Sequence, residues 1–385
     1  MPRCLQHLVF VLAILAASPG AAQNSAPESS RQVCEGQMAS GVPRSRLAIL
    51  ARGFNLPGWL EGVTPRRPDT AVLAGLYARG FTHIRLPVGA ERLMEDFSSR
   101  GDVARQLSEL DFAIDTLIHL GFGVTIDIHP ADRFARLHVA EPDRALGLLE
   151  ALWRLLARRY AGVAPDRLFF ETLNEPTVSR KIWKDQGPRL VDAIRREAPD
   201  RTIIFGHADY QRIDAMDGLA PLADTNVVYA AHFYDPMVFT HQGLDWSDDP
   251  LRYLRDVPFP ARLADPPVAR LLGELARSGR DDAAALVKSA LREPWTEDRI
   301  DAEIARAASW SERQRRPVII NEFGVLGWKA APADRARWLQ TVRRAAERRC
   351  IGWTHWDYAD GFGFIRRIGE REVPDQAIVR ALLDH

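Results

Sequence analysis

The sequence predicts an α/β chain folded as a (β/α)8 TIM barrel with a long insertion after its sixth strand. Three observations carry this. Short apolar runs of strand length recur eight times, at 47–55, 81–87, 124–129, 168–174, 202–206, 227–234, 318–322 and 351–356. Helical patterns separate them, clearest at 103–120, 143–160, 187–197, 298–313 and 333–348, and another at 374–383 closes the chain. The strand-like runs are continuously apolar rather than alternating, as strands covered on both faces must be. Eight strand–helix units over roughly 340 residues fit the size of such a barrel. A doubly wound open sheet is the alternative architecture, weakened because no Gly-rich phosphate loop follows the first strand.

Taken in order, the chain opens with Arg3 and His7, an apolar run at 8–17, and the small residues Ser18, Pro19, Gly20, Ala21 and Ala22. This is the pattern of an export signal cleaved after Ala22. The run is too short to span a bilayer. The expected division is therefore a signal at 1–22, a leader at 23–46 and a catalytic barrel at 47–385. A periplasmic or secreted protein with no membrane insertion after cleavage follows. Helix starts are marked by Pro142-Asp143 and by Pro332 with Asp334. One connection breaks the rhythm: about sixty residues, 236–297, separate strand six from its helix, and insertions of that length tend to be functional loops or lids. This one holds Trp246, Tyr253, Trp295, a Pro-rich patch at 258–267 and an Ala/Leu-rich helical stretch at 281–291. Cys4 lies in the signal, leaving Cys34 and Cys350, which an oxidising compartment would allow to pair. Cys34 precedes the first strand and Cys350 directly precedes the last, and those two strands are neighbours in a closed barrel.

Composition narrows the function. With 385 residues, 46% hydrophobic, the chain can build one large core. Its formal net charge of +0 implies no broad attraction to nucleic acid or anionic membrane. The Arg pairs Arg343-Arg344 and Arg348-Arg349 fall in helical patterns and read as solvated faces. No metal-ligand cysteine spacing and no cofactor motif is present, and a monomer is expected.

Two runs end in the same dipeptide: one in Asn174-Glu175-Pro176, the other in Asn321-Glu322. A glutamate at the exit of a buried strand needs partners or a task, and two of them meeting across a cleft are the pair that hydrolyses glycosidic bonds. Chemistry in a barrel sits at the C-terminal strand ends. Those ends carry Arg85, Asp127 with His129, Asn174 with Glu175, His232 with Tyr234, Glu322, and Trp356. In this order the set resembles the cellulase-type glycoside hydrolase family 5, as does the stretch Arg52-Gly53-Phe54-Asn55-Leu56-Pro57-Gly58-Trp59-Leu60.

The resemblance implies a retaining hydrolase with Glu175 as acid/base and Glu322 as nucleophile. It implies that Arg85 and Tyr234 hold Glu322, that Asn174 donates to a sugar hydroxyl, and that His129 and His232 orient substrate and the acid. Trp356 would form the stacking floor. Trp59, Trp246 and Trp328, on loops after strands one, six and seven, would be further sugar platforms or ordinary loop anchors. Trp153, Trp310 and Trp338 fall within helices and read as helix–barrel packing. Asp127-x-His129 is not the His-x-His of metal-dependent barrel hydrolases, so no metal is expected. Glu171, four before Glu175, would lie lower on the same strand face, and Asp360 would contact sugar hydroxyls. The expected activity is endo-cleavage of a β-1,4-glucan polysaccharide. The alternatives are β-mannan, β-1,3-glucan or a bacterial exopolysaccharide, a metal-dependent hydrolase, or a non-catalytic glycan-binding barrel.

Overall fold

The computed structural model describes residues 41–384. The expected signal, Cys4, Cys34 and most of the leader lie outside the described residues. Eight strands, β1 (Arg52–Asn55), β2 (His83–Gly89), β3 (Gly123–His129), β4 (Leu168–Glu171), β5 (Ile203–Gly206), β6 (Val227–Phe233), β7 (Val318–Phe323) and β8 (Gly352–His355), close into one barrel in sequence order. The closing pair, β1 with β8, is parallel like the rest. The barrel is of the (β/α)8 type.

The first run differs from expectation. Residues Arg44–Ile49 form a helix, and the strand begins only at Arg52. A short apolar run bounded by turns cannot be assigned to strand or buried helix by periodicity alone. Here Leu47, Ile49 and Leu50 pack against Phe169, Ile204, Val228 and Ile319 and plug the N-terminal mouth of the barrel. The helix expected at 187–197 begins earlier, at Arg180, and runs to Glu197. Its cap is Ser179, whose hydroxyl accepts the N–H of Ile182, and Pro188 lies inside it. Gly187-Pro188 resembles a helix start in sequence, which explains the shortened reading. Helices Thr70–Ala78, Asp132–Ala140 and Pro266–Arg277 had no sequence counterpart.

Three tryptophans tie helices to the barrel. Trp153, Trp310 and Trp338 are fully buried, and their indole N–H groups donate to the carbonyls of Thr172, Leu219 and Asp235. Two of those carbonyls precede or follow site-bearing segments, so packing on the outer ring fixes the rim. Within the insertion, helix Asp281–Ala290 matches the Ala/Leu-rich stretch. Cys350 is disulfide-bonded, and the partner expected from sequence, Cys34, is not among the described residues.

Candidate active site

Side chains on a strand alternate between faces, so every second residue points into the barrel. On β2 those are His83 and Arg85, both fully buried. Above the apolar plug, His83 meets the Thr125 hydroxyl at 2.7 Å. The next level is ionic. Arg85 donates from Nε and Nη2 to both oxygens of Glu171 (2.7 and 2.9 Å), from Nη1 to Glu322 Oε1 (2.7 Å) and from Nη2 to Asn174 Oδ1 (2.8 Å). Its Nη2 also lies 3.1 Å from Asp127 Oδ2. A planar fork of five donors is the side chain able to serve so many acceptors at once. Asn55 accepts from Arg85 Nη1 at 2.9 Å and donates to the Asn321 carbonyl at 2.9 Å.

The two glutamates stand in different surroundings. Glu322 accepts from Arg85 on one oxygen and from the Tyr234 hydroxyl at 2.9 Å on the other. Burial, reinforced by Glu322 and Glu175, raises Tyr234 far above its ordinary range, so the phenol keeps its proton and donates. Glu175 meets His232 Nδ1 at 2.8 Å, and its side chain is 30% exposed toward the cleft. Burial pushes its carboxyl up to about 7, with Asp127 adding to the rise and His129 and Arg85 opposing it. Burial likewise lowers His232 to about 4, so this ring is neutral at pH 7. Its Nε2 is buried without a protein partner, which favours the tautomer with the proton on Nδ1, donating to Glu175 Oε1. The Glu175 proton then belongs on Oε2. A carboxylate oxygen of each glutamate and a nitrogen of His232 all lie within 4.8 Å of one another.

The charges around the pair largely offset one another. Burial works against a charged His129, yet the Asp127 carboxylate at 2.9 Å, with Glu61 and Glu322, raises the ring to about 9. Asn174 Nδ2 lies 3.3 Å from His129 Nε2, a contact that a charged ring cannot accept; the shorter carboxylate pairing sets the ring. Burial also pushes Glu171 upward, but the groups that touch it are donors, Arg85 and Asn321 Nδ2 at 2.8 Å, so the pocket fits its carboxylate. Two cations, Arg85 and His129, thus face the carboxylates of Asp127, Glu171 and Glu322. Burial of its carboxyl, against the pull of both cations and with a smaller push from Asp127, is what keeps the proton on Glu175.

A cleft of ≈ 760 Å³ opens above this layer. Trp356 forms part of its floor, stacked on His129 with ring centroids 5.8 Å apart. One wall is aromatic: Trp246 from the insertion meets Trp328 edge-on at 5.8 Å, and both are exposed. His241 and Phe362 continue this wall. Polar groups also line the cleft: Glu61 accepts the Gly58 N–H at 2.6 Å, and Arg66 forms a bidentate pair with Asp360 at 3.1 Å between the loops after β1 and β8. Gly324 is required where β7 leaves the barrel, because a Cβ there would stand 2.1 Å from the Trp356 carbonyl oxygen.

Arg85, His129, Asn174, Glu175, His232, Tyr234, Glu322, Trp328 and Trp356 therefore gather at one end of the barrel. Trp59 does not. It is 1% exposed, its indole N–H donates to Glu109 at 2.6 Å, and it packs edge-on to Phe112. The loop turns so that Leu60 pairs with Val88, which sends Trp59 outward against helix Arg100–His119. It anchors the loop and offers no face to a sugar. Asn55 and Asn321 were missed as members of the ionic layer, although a polar residue ending a buried strand was a visible signal for both. Gln211, which contacts Glu175, lies on an irregular loop and gave no signal.

Among the described residues, Glu175, His232 and Glu322 form the one group close enough to share a metal ion. Their donor atoms already serve one another, Arg85 and Tyr234, and the guanidinium at 2.7 Å from Glu322 opposes a second cation there. The arrangement suits a carboxyl–carboxylate pair.

The family model of cellulase (glycosyl hydrolase family 5) matches residues 48–361. The chain belongs to glycosyl hydrolase family 5. Its fold and its relatives make it a glycoside hydrolase of the cellulase type. Endoglucanase 3 of Fibrobacter succinogenes is 28% identical over 361 residues, covering 86% of this chain, which spans only 53% of that relative's length. Endoglucanase C of Acetivibrio thermocellus is 25% identical over 323 residues, covering 80% of this chain and 90% of that one. Among solved structures, endoglucanase Cel5A of Thermotoga maritima superposes with a TM-score of 0.72 at 25% identity, over 89% of this chain and 99% of that one. As in (β/α)8-barrel enzymes generally, the site described here lies at the C-terminal strand ends.

Proposed function

We propose that this family 5 hydrolase is an exported endo-β-1,4-glucanase that works by double displacement with retention. The observation that carries the reading is the close but unequal glutamate pair. One member is ion-paired with Arg85 and bonded to Tyr234; the other is pushed up to about 7 and faces the cleft. Their closest oxygens lie within 4.8 Å, which suits direct attack and leaves no room for the water of an inverting enzyme.

In the first step a Glu322 oxygen bonds to the anomeric carbon. The bond from that carbon to the leaving oxygen breaks, and that oxygen takes the Glu175 proton. In the second step Glu175, now a carboxylate, takes a proton from water, whose oxygen attacks the same carbon and releases Glu322. Arg85 and Tyr234 hold and aim Glu322, and Asn174 faces the sugar at the cleavage point. The aromatic wall and Trp356 receive ring faces, while Glu61, Arg66 and Asp360 receive hydroxyls.

The test is hydrolysis of a panel of β-glucans and β-mannans, with proton NMR of the first product. A β anomer from a β-1,4-glucan, with a broad range of product lengths, is expected. An α anomer would overturn the mechanism. Cleavage confined to mannan, β-1,3-glucan or an exopolysaccharide would replace the substrate, and release of one short product would replace endo action. Export and a monomeric state are part of the proposal. Protein recovered outside the cytoplasm should have the mass of a chain cut after Ala22 and sediment as one chain.

The pH dependence follows from Glu175. Its protonated form is the active one, so kcat/KM should be high below about 7 and fall as pH rises through that value. A rate still rising above pH 8 would remove Glu175 from the acid role.

A further inference from the structure

We propose that Gln211 is a positioning residue for Glu175; the proposal rests on reading Glu175 as the acid/base. Gln211 follows β5 on an irregular loop and is fully buried. Its side-chain Oε1 accepts the backbone N–H of Glu175 at 2.7 Å. Its own carbonyl accepts the backbone N–H of His232 at 2.8 Å. His232 in turn meets Glu175 Oε1 through Nδ1 at 2.8 Å. One residue thus fixes the backbones of both partners in the hydrogen bond that orients the acid. The adjoining Arg212 continues the contact as a parallel bridge to His232.

Two costs attach to this placement. Asp209, Tyr210 and Gln211 all hold left-handed backbone, at φ 64, 56 and 51, and Glu175 does so at φ 39. Non-glycine residues there are strained and persist where the surroundings over-determine them. The second cost is in the amide. Gln211 Nε2 is buried without a protein partner, and it packs so closely on β5 that a Cβ at Gly206 would stand 2.2 Å from it. A buried unpaired donor is unfavourable, and a methionine would fill the space without one. What a glutamine adds over methionine is the acceptor Oε1, and that atom serves Glu175. Because β4 ends at Glu171, the Glu175 N–H is outside the barrel ladder and needs such an acceptor. Without it, Glu175 would be free to leave the geometry in which its proton faces the leaving oxygen.

The test uses aryl β-cellobiosides with a dinitrophenyl or a phenyl leaving group, because only the poorer one needs the proton. Gln211→Met should lower kcat/KM for the phenyl substrate roughly tenfold or more, a part of the 10²–10⁴ that a general acid supplies, and leave the dinitrophenyl substrate within about threefold. Gln211→Glu, which keeps an acceptor oxygen, should restore most of the phenyl activity. Equal losses on both substrates, or no loss on either, would overturn the role. If Gln211→Met does not fold, the same leaving-group dependence in a folded Gln211→Glu variant overturns it as well, since the acceptor is still there. Glu175→Gln is run alongside. If it shows no leaving-group dependence, the acid/base reading itself fails, a result distinct from failure at Gln211.

Discussion

Replacing Glu322 with glutamine is expected to lower kcat by on the order of 10⁴-fold or more, with the fold intact. The amide has nearly the shape of the carboxylate but cannot form and release the covalent bond to the anomeric carbon. Its carbonyl can still accept from Arg85, and Tyr234 can rotate its hydroxyl. The substitution also removes one of three carboxylates packed around two cations. The variant should therefore unfold at a temperature equal to or above that of the parent, the usual trade between activity and stability at a functional charge. Thermal unfolding by circular dichroism and kcat on the preferred polysaccharide give both readouts. Near-normal turnover in the folded variant would sink the nucleophile assignment.

The second large effect is on stability. Arg85→Met should cost about 3–5 kcal/mol, because it leaves buried carboxylates without their counter-charge. That is roughly a third of the stability of a typical domain. Glu171 loses two nitrogens, Glu322 and Asn174 one bond each, and Asp127 an ion-pair partner. The carboxyls of the variant will bind protons more tightly in the folded state than in the unfolded chain. Its stability should accordingly rise as pH falls, so the deficit in Tm relative to the parent should shrink between pH 8 and pH 5. A deficit that is small, or constant across that range, would show that Arg85 is not the counter-ion of this layer.

The barrel was legible because its strands are buried on both faces and read as unbroken apolar runs. The error at the first run has the same origin, since the helix Arg44–Ile49 buries its residues just as a strand would. The charged site was legible where polar residues interrupt strand ends: Arg85, His129, Glu175, Glu322. Those interruptions have no packing rationale and so stand out. Trp59 misled because an aromatic on a rim loop can face either way, and only the pairing of Leu60 with Val88 decides it. Gln211 was illegible for a different reason. Its role depends on left-handed backbone in a segment without periodicity, and on a contact to Glu175 that is remote in sequence.

The ionic layer is rooted in β1, β2, β3, β4 and β7, whereas the cleft walls are made by the loops that follow β1, β6, β7 and β8. This separation governs which changes a lineage or an engineer can reach one step at a time. Exchange of the loops bearing Trp246, Trp328 or Asp360 alters what the cleft grips while the charges of the layer keep their partners. Within the layer a single change either removes the chemistry, as at Glu322, or strands buried carboxylates, as at Arg85, so a different reaction would require several substitutions together, crossing intermediates that are inactive or destabilised. New sugars are therefore near neighbours of this sequence, and new chemistry is distant.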